Sequence, residues 1–279
     1  MQKQNNNMIV CHYIDDPFLI NGFKFDLRIY VLITSINPLR VYMYQEGLVR
    51  FATVKYDPTD FTSKANRYIH LTNYSVNKNN ENFVANTNSD QDNTGSKWSL
   101  TALKSYFQSQ SINMDIIIER IEEILVKTIL SIENTTYSAF DTQVPYRNNC
   151  FELLGFDILL DSHLKPWLLE VNLSPSLNLD SPLDQRIKGE LIADIFTITG
   201  IMPKDLRLYQ NLCYNKNFHL FGQQAGSNLN VSNEKKNDWN SSWNSNLEKE
   251  KEALNKELTK EERQVLKETD EEYQRLIFY

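Results

Sequence analysis

Apolar and polar positions first fall into a regular pattern around Phe25. Leu27-Arg28-Ile29-Tyr30-Val31-Leu32-Ile33 is β-branched and aromatic-rich, reads as a strand, and is broken by Asn37-Pro38. Val41-Tyr42-Met43-Tyr44 reads as a second strand, a turn is expected at Glu46-Gly47, and Leu48 to Val54 reads as a third, giving an antiparallel meander. Residues 77–97, rich in Asn, Ser and Asp, read as a mobile loop. From Asp115 to Ile132 the period changes: Ile117, Ile121, Ile124, Leu125 and Ile132 share one helical face, and Asn134 is a stop signal. Phe156 to Asp161 and Pro166 to Asn172 predict a hairpin around Ser162-His163-Leu164-Lys165. A helix follows, with Ser181 as N-cap, Pro182 at its first position, Asp184 in its first turn and Gly200 just past its end. Beyond about residue 206 the pattern dissolves. A linker is expected over 206–246, then a charged helical tail over 247–279 with Leu247, Leu254, Leu258 and Val265 on one stripe.

Composition narrows the function classes. At 41% hydrophobic the chain can build a substantial core, and no window approaches 18 uninterrupted apolar residues, so no membrane span is expected. The first residues, Met1 to Asn7, lack the apolar stretch of a secretory signal. Cys11, Cys150 and Cys213 are odd in number and far apart, which suits reduced thiols in a cytosolic-type compartment rather than a disulfide framework. A net charge of −7 argues against a general nucleic-acid binder. The charge is also uneven: residues 21–110 hold 10 Lys and Arg against 7 Asp and Glu, while residues 115–200 hold 6 against 14. A basic half beside an acidic half suits an anionic substrate meeting a cation-binding cluster, although solvated faces also vary by chance.

Candidate chemistry concentrates in the hairpin. Folding it about its four-residue turn pairs Asp161 with Pro166, Leu159 with Leu168 and Asp157 with Glu170, with Asn172 one step along the same face. Two opposed carboxylates destabilise a ladder unless something neutralises them, and their neighbours Phe156, Ile158, Trp167, Leu169 and Val171 are apolar. Two carboxylates and an amide oxygen are the hard ligands that Mg2+ takes alongside nucleotide phosphates. An edge hairpin with wet carboxylates facing a basic side chain fits the spacing equally well. On this reading, replacing Asp157 by Asn relieves repulsion and raises stability. Lys24, Asp26 and Arg28 likewise share a strand face, either cradling a polar ligand or pairing among themselves. His70 to Ser75 is a run of small donors and acceptors, and Lys97 is a mobile lysine leading into a helix.

Five strings then occur in a telling order: KFDLRIYVL (24–32), EGLVRFAT (46–53), HLTNYS (70–75), GSKWSL (95–100) and GFDILLDSHLKPWLLEVNLSPSL (155–177). Together they resemble the tubulin–tyrosine-ligase-like family of ATP-grasp ligases over roughly residues 9 to 201. LLEVNLSPSL followed by PLDQRIKGELI (182–192) is similar to the glutamylating members rather than to tyrosine ligase itself. The resemblance implies an α+β fold over 1–205, the C-terminal portion of an ATP-grasp fold in which an antiparallel sheet carries packed helices. It implies ATP and Mg2+ as cofactors, free L-glutamate and tubulin C-terminal tails as substrates, and a monomer at the cytoskeleton, cilium or basal body. Asp157, Glu170 and Asn172 match the family's magnesium ligands. Lys24, Asp26, Thr72 and Asn73 match nucleotide contacts, and Cys11-His12-Tyr13-Ile14 falls at the adenine-contacting hinge. Arg50, Lys97, Tyr74 and Ser75 match positions that hold the incoming amino acid, while Arg28 and Glu170 belong to the reacting centre, Arg28 meeting a substrate carboxylate. Family members carry N-terminal and central domains before the hinge. The expectation is therefore a C-terminal half with its metal site intact and its ATP clamp incomplete, active as a ligase or serving as a tubulin-binding module.

Overall fold

Two long strands organise the first half of the chain, β2 (Phe23–Ile36) and β3 (Leu39–Phe51), preceded by the two-residue β1 (Leu19–Ile20). The computed structural model describes residues 10–60, 62, 66–87, 92–143, 150–200 and 259–277. The short helices α1 (Asn66–His70) and α2 (Tyr74–Asn77) lead to β4 (Lys97–Ser99), α3 (Leu100–Ser109) and the long α4 (Met114–Gln143). The hairpin β5 (Glu152–Leu160) and β6 (Pro166–Leu173) and the helix α5 (Pro182–Thr199) follow, and α6 (Lys260–Ile277) lies in the tail. The antiparallel sheet runs β4-β3-β2-β5-β6, with β1 paired to β2. An antiparallel sheet with helices packed on it is the α+β architecture expected.

Alternation explains the two faces. Phe25, Leu27, Ile29 and Val31 of β2 join Val49 and Phe51 of β3 and Leu154, Phe156, Ile158 and Leu160 of β5 in one buried cluster. Leu103 and Phe107 of α3, with Ile117, Ile121, Leu125 and Ile129 of α4, close it. Leu183, Ile187 and Leu191 of α5 are buried outside that cluster. The helix start is built as its sequence implies: Ser181 Oγ accepts from the Asp184 amide at 3.2 Å. Gly200, at φ +71°, takes the left-handed position that ends the helix.

Several expectations change. There is no turn at Glu46-Gly47: β3 runs through it, with a register shift between Ile29 and Val31 of its partner strand. Glu46 instead caps α3, its Oε1 accepting from the Leu100 amide at 2.7 Å and its Oε2 from Thr101 Oγ1 at 2.6 Å. Gly47 is needed because a Cβ there would sit 2.6 Å from the Arg28 carbonyl oxygen. Helix α4 continues past Asn134, and Ile132 is exposed rather than on the buried stripe. Within 77–97, buried Asn77 and Asn86 tie the chain down, Asn77 Oδ1 accepting from Thr53 Oγ1 at 2.8 Å and Asn86 Nδ2 donating to Thr94 O at 2.6 Å.

The hairpin turn holds five residues, not four, because Leu160 pairs with Pro166 and Leu159 with Trp167. A bulge between the Asp157 and Ile158 pairs absorbs Leu169 and brings Asp157 opposite Glu170 after all. As the sheet's edge strand, β6 leaves Trp167, Leu168, Leu169, Val171 and Leu173 exposed.

The chain divides into compact units at Ile195/Phe196. In the second unit, α6 starts on a reciprocal cap, Thr259 N donating to Glu262 Oε2 at 2.7 Å and Glu262 N to Thr259 Oγ1 at 3.2 Å. Arg275 Nε donates to the Ile198 carbonyl at 3.0 Å. Leu247, Leu254, Leu258, Cys213 and the expected linker lie outside the described residues.

Candidate active site

The sheet face opposite the apolar cluster carries the charges. Asp26 of β2 lies opposite Arg50 of β3, and Arg28 of β2 lies opposite Asp157 of β5. Arg28 Nε donates to Asp157 Oδ1 at 2.5 Å and its Nη2 to Oδ2 at 3.1 Å, a bidentate fork. Arg50 bridges two carboxylates: its Nε donates to Asp26 Oδ1 at 2.7 Å, and its Nη2 lies 2.9 Å from Asp157 Oδ2. Thr72 Oγ1 adds a hydrogen bond to Asp26 Oδ2 at 2.8 Å. Gly155 makes room for this packing, since a Cβ would press on Pro175 at 2.9 Å and on the Arg28 side chain at 3.3 Å.

Of the opposed carboxylates, Asp157 is neutralised by basic side chains, since two guanidinium groups hold it. Burial raises its carboxyl, but the Arg28 hydrogen bond and the charges of Arg50 and Arg28 outweigh it and hold it below the ordinary aspartate range. Arg50 is buried and committed to Asp26 and Asp157, and those partners raise its pKa despite burial.

Asn172, opposite Gly155, joins the margin of the cluster: its Nδ2 lies 3.2 Å from Glu170 Oε1 and 3.4 Å from Asp157 Oδ2. Exposed Glu170 has no cationic partner among the described residues. Turning the Asn172 amide over would present its oxygen beside the two carboxylates, giving a hard-oxygen set. No group of three or more His, Cys, Asp or Glu that could hold a metal occurs among the described residues. Two carboxylates and an amide suit Mg2+ shared with a phosphate rather than a self-sufficient protein cage.

Lys24 lies at the other margin. It is 6% exposed, yet its ammonium makes one side-chain hydrogen bond among the described residues, to Tyr13 Oη at 3.2 Å. Burial lowers its pKa and the charge of Asp26 only partly offsets this. A buried ammonium with one neutral partner has donors to spare for an anion. Tyr30, further along the same strand face, has a buried hydroxyl without a hydrogen-bond partner among the described residues, and burial pushes its pKa up to about 12.

Lys97 is not mobile. Paired across the ladder with Arg50, it is buried, its Nζ lies 2.7 Å from Asp184 Oδ2, and it sits 3.9 Å over the Tyr74 ring. Lys188 reaches Asp184 Oδ1 at 2.9 Å, and Ser181 Oγ donates to Asp184 Oδ2 at 2.7 Å. Burial lowers Lys97, and Asp184 partly restores it. Asp184 and Lys188 are site neighbours that sequence reasoning missed; the only signal was an acidic residue in a helix's first turn.

Thus Lys24, Asp26, Arg28, Arg50, Thr72, Asp157, Glu170 and Asn172 come together, with Lys97 beside Arg50 and Tyr74 against Lys97. Tyr13 joins through Lys24. Cys11, His12, Ile14, Asn73 and Ser75 make no side-chain hydrogen bond to this group among the described residues, and all but half-buried Ile14 are exposed. A cavity of about 610 Å3 lies elsewhere, between Ile20, Phe23, Phe51, Trp98 and Lys55, and no predicted site residue lines it.

The family profile described as tubulin-tyrosine ligase matches residues 1–208. The chain is 48% identical over 199 residues to human tubulin polyglutamylase TTLL5, covering 71% of this chain and 16% of that protein. It is 44% identical over 205 residues to Caenorhabditis elegans tubulin polyglutamylase ttll-5, covering 74% and 28%. Against human tubulin monoglutamylase TTLL4 it is 48% identical over 195 residues, covering 70% and 16%. The chain therefore spans between about a sixth and under a third of the length of these relatives.

Proposed function

The chain belongs to the tubulin-tyrosine ligase family, and from that premise we propose that it carries the metal-binding half of an ATP-dependent ligase adding glutamate to glutamate side chains of tubulin tails. The observation that carries this reading is one sheet face with a saturated ionic centre and under-satisfied margins: the Lys24 ammonium at one side, Glu170 and Asn172 at the other. The relatives' names point the same way, two being tubulin polyglutamylases and one a monoglutamylase.

ATP would supply the driving force, its γ-phosphoryl group going to a tail carboxylate with release of ADP, and the incoming amine would then displace phosphate and lose a proton as the isopeptide bond forms. Mg2+, held by Asp157, Glu170 and Asn172, would neutralise charge developing on the phosphoryl oxygens. Lys24 would give its spare N–H donors to phosphate. Asp26 and Asp157 orient Arg50 and Arg28, and Arg28, whose side chain is 12% exposed, is the one placed to reach an anionic substrate. Lys97 and Tyr74 would meet the amino-acid substrate, with Asp184 holding the lysine in place. No helix among the described residues is long and apolar enough to cross a membrane, and the proposed workplace is the cytoskeleton.

The test is incorporation of radiolabelled glutamate into purified tubulin, run with MgATP-induced thermal stabilisation. Both signals are expected, and Glu170→Gln should abolish incorporation and cut MgATP affinity at least tenfold. Stabilisation that ignores Mg2+ and Glu170 would remove the metal reading. Microtubule pelleting without incorporation would favour a binding module instead.

A further inference from the structure

Behind Lys24 lies a chain of hydrogen bonds whose direction can be read from chemistry alone. His70 is buried, and its Nε2 lies 3.0 Å from the Asp60 carbonyl oxygen. A carbonyl only accepts, so this nitrogen carries a proton, and in the singly protonated ring Nδ1 is left as an acceptor. Tyr13 Oη lies 2.7 Å from Nδ1 and therefore donates to it. With its proton turned towards His70, the Tyr13 oxygen presents lone pairs to its other side, where Lys24 Nζ stands 3.2 Å away.

Tyr56 does not compete. Its hydroxyl proton goes to the Asp15 carbonyl at 2.9 Å, and its oxygen is a distant 3.5 Å from Tyr13 Oη. The Tyr13 and Tyr56 rings both stand edge-on to His70, at 78° and 83°, which fixes the imidazole plane. The Lys24 ammonium lies 4.8 Å from the Tyr13 ring centroid. The order Lys24 to Tyr13 to His70 to Asp60 thus runs one way, from donor to acceptor at each step.

We propose that His70 is a positioning residue for the nucleotide: by taking the Tyr13 proton, it makes the Tyr13 oxygen the acceptor that anchors Lys24 with its remaining N–H groups free for a phosphate. Were the Tyr13 proton turned the other way, it would face the ammonium and push it off this position. The inference rests on the reading of Lys24 as a phosphate ligand, and the residue it adds touches no ligand itself.

The experiment compares MgATP affinity by calorimetry for the full chain and for His70→Phe, His70→Asn and Lys24→Met, with apo melting temperatures alongside. Phe keeps the ring and removes the acceptor; Asn returns an oxygen near the place of Nδ1. His70→Phe should weaken MgATP about tenfold, and His70→Asn should recover most of that loss at a similar apo melting temperature. If Lys24→Met loses binding but His70→Phe does not, or Asn binds as weakly as Phe, the positioning role is overturned while the nucleotide reading stands. If Lys24→Met binds like the original protein, the nucleotide reading fails with it. Should His70→Phe not fold, nitrogen-15 NMR of the unaltered protein decides: a proton on Nε2 alone is expected, and one on Nδ1 overturns the relay.

Discussion

The centre and the margins of the charged sheet face obey different rules. At the centre, Asp26, Arg50, Asp157 and Arg28 satisfy one another through short bonds in a nearly dry setting. At the margins, among the described residues, Lys24 has one neutral hydrogen-bond partner and Glu170 only an amide. The difference separates two jobs that a list of charged residues merges. A saturated ion network holds geometry, and removing one member leaves its partners as uncompensated buried charges. An under-satisfied group holds little of the fold and is free to bind.

The comparison breaks most visibly at Asp157. Replacing it by Asn leaves Arg28 and Arg50 facing a neutral amide, and urea unfolding at pH 7 should show a loss of about 3–5 kcal/mol. A gain in stability, which the carboxylate-repulsion picture demands, would show that the guanidinium pairing counts for little. Acid sharpens the same point. Asp157 and Asp184 have folded-state pKa values below the ordinary one. Their contribution is complete above the unfolded aspartate value of about 4 and is lost as pH falls through the depressed values. Unfolding curves from pH 6 downward should therefore steepen below about pH 4, and Asp157→Asn should flatten that slope. The margins give the smallest shifts. Glu170→Gln should leave apo stability within about 0.5 kcal/mol, as for an exposed site. Lys24→Met should raise the apo melting temperature slightly, since a buried ammonium with one partner is replaced by an apolar chain of similar shape.

Much of the site was legible because strand alternation is rigid. Lys24, Asp26 and Arg28 had to share a face, whereas Asp157 meets Glu170 only because a bulge offsets a turn one residue longer than the spacing suggests. The cap at Ser181 and the stop at Gly200 were legible because their rules are local. What compensates Asp157 was not legible. Arg28 lies 129 residues away, and only the placement of β2 beside β5 joins them. Lys97 and Asp184, 87 residues apart, were hidden for the same reason. Glu46-Gly47 resembled a turn because those residues favour turns, yet the carboxylate was needed at the start of α3. Asn134 failed as a stop because its helix propensity is only modestly poor and neither Gly nor Pro follows before Gln143.

The hairpin's two irregularities obey a parity condition. An odd turn on its own would have handed Asp157 the neighbour Leu169 and sent Glu170 into the oily layer beside Phe156; the surplus residue at the kink restores an even count. Insertions or deletions in this ribbon should accordingly be tolerated in matched pairs, while a lone one in the turn would turn the carboxylate inside out.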